Sequence, residues 1–141
     1  MLEQQLKETW SDVVVAYHRF HTLHLNIRGR TFSQDHKMLE FLYNQAFDEI
    51  DALGEIIRGE RYFVPETINE IILTASLSDS TTGPTSDDFL SFALEAVEHL
   101  ISSFNQLEIT AITETYIQNH CQDQITKWNK SKWMLSSTLE D

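Results

Sequence analysis

Apolar residues recur at helical spacing over four long stretches of the chain. Leu6, Trp10, Val13, Val14, Tyr17, Phe20 and Leu23 share one face of a segment covering residues 2–27, and Gly29 can end it as a C-terminal cap. Leu39, Leu42, Tyr43, Phe47, Ile50, Leu53 and Ile57 form the stripe of a second helix reaching about residue 58, with Ser33 placed to cap its start. Pro65 can open a short helix over residues 66–75, after which 76–84 reads as loop. Helical period returns from Asp87 through Phe89, Leu90, Ala93, Val97, Leu100, Ile101, Phe104 and Leu107, ending between Ile112 and Ile117. Asn119 with Gln122 resembles a capping box for a last helix carrying Ile125, Trp128 and Leu135. The pattern predicts an all-α four-helix bundle with a short helix in the crossover between helices two and three.

Composition narrows this. Four Gly and two Pro in 141 residues permit long helices and few tight turns, and the length suits a single domain over residues 1–141. Ten basic against 22 acidic residues give a net charge of −12, which attracts cations and repels phosphate backbones, so DNA is a disfavoured partner. Lys7 is the only base before Arg19, and the chain closes on Leu139, Glu140 and Asp141, with no basic tail for phosphate contacts. A lone cysteine, Cys121, excludes an internal disulfide framework and reads as a small buried apolar residue, which suits the cytoplasm. No apolar run approaches the roughly 20 residues that span a bilayer, and the first residues lack a basic and apolar leader, so no membrane partner is expected.

The candidate chemistry lies in one spaced set: His24, His36, Glu40, Asp51 and Glu55. His36 and Glu40 are four residues apart, as are Asp51 and Glu55, so each pair projects from one helix face. Two histidines and three carboxylates form an iron-type ligand set. Asp51 lies roughly 22 Å beyond His36 on one helix, which no single ion bridges. An antiparallel two-fold copy, centred between Gln45 and Ala46, brings position 36 opposite 55 and 40 opposite 51. A hairpin at Gly29 to Thr31 sets His24 beside His36. The spacing therefore points to a metal site shared by a dimer. A single histidine on an amphipathic helix is more often a surface or core residue than a ligand; the joint spacing reverses that expectation. His18 and His21 lack acidic companions and stay outside the site, Asp48 and Glu49 read as a solvated acidic face, and Trp10, Trp128, Trp133 and Met134 read as core and interface packing.

The run from His24 through Asn26, Gly29 and Phe32 to His36, followed by Glu40, Tyr43, Asp51 and Glu55, resembles the Dps family, the mini-ferritins named for DNA protection in starved cells. Lys132, Trp133, Met134 and Leu135 resemble the family's final helix. The resemblance implies a ferritin-like bundle and a ferroxidase centre of His24, His36 and Glu40 from one subunit with Asp51 and Glu55 from its two-fold mate. It also implies non-haem Fe(II)/Fe(III), hydrogen peroxide as oxidant, and a homo-oligomer, a dodecamer of two-fold dimers storing ferric oxide. Two positions depart from the family: Leu25 stands where Trp is frequent, removing a radical-quenching aromatic, and Glu40 where Asp is usual, lengthening one ligand arm. The alternatives are a DNA-compacting Dps protein with iron secondary and a catalytically silent four-helix interaction protein.

Overall fold

The computed structural model describes residues 1–140, in which five helices follow one another: α1 (Leu2–Asn26), α2 (Phe32–Gly59), α3 (Ile68–Thr74), α4 (Ser86–Thr110) and α5 (Thr115–Leu139). Among the described residues there is no strand, and no helix is long and apolar enough to cross a membrane. α1 and α2 form an antiparallel hairpin in which Trp10 reaches Ile50 and His24 reaches His36. α4 and α5 form a second hairpin through the turn at residues 111–114. α1 also runs antiparallel to α4, since Thr9 and Asp12 meet Ser103 while Arg19 meets Phe92 and Glu95. Two hairpins joined by a long crossover carrying a short helix are the connectivity of ferritin-like bundles.

The predicted stripes meet in the middle of the bundle. Leu6, Val13, Phe20, Leu39, Leu42, Leu53, Leu100, Phe104 and Trp128 are fully buried, and Phe20 stacks on Trp128 with ring centroids 6.0 Å apart. Two residues behave differently: Phe47 of the second stripe is 57% exposed, and Trp133, read as core and interface packing, is 66% exposed. Both lie on amphipathic helices, where periodicity places a residue on a face without saying whether this chain or another covers it.

Helix ends differ from expectation where capping was read from single residues. Thr31, not Ser33, precedes the first turn of α2; its hydroxyl bonds the Asp35 carboxylate at 2.6 Å and caps no backbone amide. α4 stops at Thr110, and α5 starts at Thr115, leaving Asn119 inside the helix. α3 begins only at Ile68, where the Thr67 hydroxyl accepts the Glu70 amide. At the end of α2 the Tyr62 amide donates to the Ile57 carbonyl at 3.1 Å and the Arg61 amide to that of Arg58 at 3.0 Å. This is a Schellman termination, yet its left-handed position is filled by Arg61, at φ 72°, rather than by glycine. A non-glycine side chain there costs about 1–2 kcal/mol.

The crossover is held down by two buried charges. Asp12, with no exposed surface, accepts the Ser76 and Leu77 amides at 2.7 and 2.8 Å and the Ser76 and Ser103 hydroxyls at 2.7 and 2.8 Å. The Ser76 hydroxyl gives its proton to Asp12, so its oxygen accepts from His99 Nε2 at 2.8 Å. Burial alone raises the Asp12 pKa; the bonds from His99, Leu77, Ser76 and Ser103 outweigh it and hold the group below its ordinary 3.8. Arg19 donates to the carbonyls of Ser78 and Phe92 and lies 3.7 Å from the Phe92 ring centre.

Candidate metal centre

The short turn between α1 and α2 brings His24 and His36 together with their rings stacked at 3.6 Å between centroids. Gly29 makes the turn possible by adopting φ +117°, a left-handed conformation that other residues rarely take. Each ring bonds the other residue's backbone: His24 Nδ1 lies 2.7 Å from the His36 carbonyl and His36 Nδ1 lies 2.8 Å from the His24 carbonyl. A carbonyl oxygen only accepts, so Nδ1 carries the hydrogen in both rings. In the neutral rings the free lone pair is then on Nε2, the tautomer a metal ligand requires, and the backbone fixes its direction. Glu40, exposed, follows His36 by one turn of α2.

Aromatic rings wall this half. Tyr43 sits edge-on to His24 at 5.0 Å and tilted to His21 at 4.9 Å, while Phe32 stacks on His36 at 4.8 Å. His21, which the sequence leaves outside the site, is half-buried in this wall, and His18 is exposed. Leu25 is 61% exposed and points away from the packed core.

Asp51 and Glu55 lie at the other end of α2, both exposed, and line a groove with Trp10, Phe47, Gly54 and Val64. The Trp10 indole N–H donates to the Ile50 carbonyl at 2.9 Å, anchoring the backbone one residue before Asp51. Gly54 permits this approach, because a Cβ there would come within 3.2 Å of the indole nitrogen. α2 is unbroken from Phe32 to Gly59, so the roughly 22 Å rise between His36 and Asp51 stands. No three His, Cys, Asp or Glu side chains among the described residues gather within one chain to hold a metal ion: Asp51 and Glu55 lie too far along α2, and Glu40 does not close with the histidine pair into a three-residue cluster.

Glu49 departs from the solvated face expected of it. It is 2% exposed and lies 2.6 Å from His120 Nε2 on α5, and burial raises its pKa despite that partner. Asp48 does face solvent. Cys121 is buried, and its thiol is pushed up to about 12 by burial and by the nearby carboxylates of Glu108 and Glu49.

Residues 3–141 match the ferritin-like domain, the class that the bundle defines. Within that class the chain belongs to the Dps family: it is 33% identical over 141 residues to the DNA protection during starvation protein of Helicobacter pylori, covering 95% of each chain. Its fold is similar to that of Dps from Thermosynechococcus elongatus, with a TM-score of 0.94 at 19% identity, covering 99% of this chain and 90% of that one. It is equally similar to the Dps protein of Vibrio cholerae, described as a member of a broad superfamily of ferritin-like diiron-carboxylate proteins (TM-score 0.93, 20% identity, 99% and 89% covered).

Proposed function

We propose that this protein is a ferroxidase and iron-storage mini-ferritin whose centre is completed between two copies of the chain. His24, His36 and Glu40 of one copy and Asp51 and Glu55 of the other take up Fe(II) as substrate. The observation that carries the reading is the reciprocal histidine pair, which frees two Nε2 lone pairs, while Asp51 and Glu55 make no hydrogen bond among the described residues and stand on the same helix as His36, beyond the reach of one ion. Carboxylates are hard donors that favour the ferric over the ferrous ion, and the imidazoles supply nitrogen ligands while leaving coordination positions open. Each Fe(II) gives up one electron; a hydrogen peroxide molecule takes two, together with two protons, and becomes two waters. The ferric product collects inside a twelve-subunit shell in the cytoplasm, removing peroxide and free Fe(II) together. With a charge of −12 the surface favours entry of cations and does not retain duplex DNA at physiological salt.

Co-assembly of two inactive variants tests the shared centre. His36→Ala and Asp51→Ala are each expected to slow Fe(II) oxidation about a hundredfold or more. In a dimer of the two variants one centre lacks both ligands and the other lacks neither, so activity returns to about half that of the unmodified dimer. Mixed particles, verified by mass spectrometry, that stay as inactive as either parent sink the reading.

A further inference from the structure

The chain has ten Lys and Arg residues. Lys7, Arg19, Lys127 and Lys132 make ion pairs within the chain. Of the six that make none among the described residues, five lie at the two ends of α2: Arg28, Arg30 and Lys37 at its start, and Arg58 and Arg61 at its finish. All five are exposed. With 22 carboxylates in the sequence, this concentration of unneutralised cations runs against the composition. Of the acids nearest in sequence, Asp35 is buried against Thr31 and Glu60 accepts the Tyr116 hydroxyl, while Glu55 lines a groove that Arg58 also borders without an ion pair between them.

The finish of α2 carries the beginnings of a site. Arg58 donates to the Tyr62 carbonyl at 2.8 Å and lies 4.3 Å from the centre of the Phe63 ring, so its guanidinium is held in place. It borders a crevice whose other walls are Gly59, Phe63 and Arg61, the residue kept in a left-handed conformation that glycine would fill without strain. In the antiparallel register that pairs position 36 with 55, the start of α2 in one copy lies beside its finish in the other, which brings the turn carrying Arg28 and Arg30 towards the turn carrying Arg61. Arginine would then meet arginine, an unfavourable contact unless an anion lies between them.

We propose that dimerisation closes this crevice into a binding site for a small tetrahedral oxyanion of the phosphate class, held by Arg58 and Arg61 of one copy and Arg28 and Arg30 of the other. The inference rests on the shared-centre reading, since it uses the same register. Guanidinium forks suit such an anion because they offer paired N–H donors to two oxygens at once. The site adjoins the iron ligands, and phosphate is a hard anion with high affinity for ferric ion, so the oxyanion would be a co-substrate of storage, set beside the place where ferric ion forms. A long polyanion is the poorer fit, because the rest of the surface carries the opposite preference.

Calorimetric titration of metal-free, assembled protein with inorganic phosphate tests this. A saturable heat is expected, with affinity reduced at least about tenfold by Arg61→Gly and by Arg30→Gln. Glycine suits the backbone at position 61, so that loss is not one of folding, and Lys130→Gln, on α5, should leave the affinity unchanged. His36→Ala, which removes an iron ligand and no arginine, should also leave it unchanged, so the two readings fail separately. No saturable heat at millimolar phosphate overturns the proposal, as does equal affinity in all variants or an effect of Arg61→Gly without one of Arg30→Gln. Arginine-dependent retention of duplex DNA without uptake of phosphate overturns it as well.

Discussion

Asp12 and Asp51 are the same side chain in opposite surroundings. Asp12 is wholly buried, and four donors from the crossover and α4 converge on it at 2.7 to 2.8 Å. Asp51 is exposed, and with Glu55 it lines a groove without a hydrogen bond from the described residues. A carboxylate whose lone pairs are filled from inside its own chain contributes to folding and has nothing left to offer a ligand. One that is oriented by its helix and left unbonded keeps its donor oxygens for something outside the chain.

The largest expected effects separate the two. Asp51→Ala should cost the hundredfold or more in Fe(II) oxidation already described, while shifting unfolding free energy by no more than about 0.5 kcal/mol. Asp12→Ala should do the reverse, destabilising by about 3 kcal/mol as the Ser76 and Leu77 amides lose their acceptor, with oxidation per assembled particle unchanged. Stopped-flow absorbance and denaturant unfolding on both variants decide it. Equal losses of stability would erase the distinction.

A smaller effect sharpens it through pH. The folded-state pKa of Asp12 lies below its ordinary 3.8, so the unfolded chain takes up the proton first. The stabilisation is therefore fully present above about pH 3.8 and disappears as pH falls through the depressed folded value. Acid titration of Asp12→Asn should lose that part of the slope, whereas Asp51→Asn should retain it. If both variants follow the unmodified acid limb, Asp12 is not the group that titrates.

The smallest effect concerns the support of the open half. Trp10→Phe removes the indole bond to the Ile50 carbonyl but keeps an aromatic ring in the groove. Fe(II) oxidation should slow by at most about tenfold, with the half-activity of co-assembled variants preserved. A loss as large as that of Asp51→Ala would make Trp10 part of the centre rather than its support.

What the sequence revealed follows from the range of the interactions involved. Helices were legible because their periodicity is local, and the histidine hairpin was legible because its members are only twelve positions apart, with one glycine between them. Cap positions were not, since Ser33 and Thr31 are chemically alike and two residues apart; only backbone geometry distinguishes them. The Asp12 cluster was invisible for a different reason: Ser76 and Ser103 are 64 and 91 residues away, and neither serine carries a signal of its own. Glu49 was misjudged because its neighbour Asp48 is solvated, while its partner His120 comes from α5. Of the five ligand candidates, the sequence named residue types and spacing, and the fold added the tautomer of the two histidines.

The separation of the two half-sites along α2 also fixes how mixtures of chains behave. On the shared-centre reading every centre draws one contribution from each of two polypeptides. When unmodified chains are diluted randomly with a variant lacking only one half, a centre survives whenever the chain supplying that half is unmodified, and activity falls in simple proportion to dilution. Against a variant lacking both halves, each centre needs two unmodified chains, and activity falls as the square of their fraction. Damage confined to one end of the helix is thus diluted, while damage to both ends is multiplied.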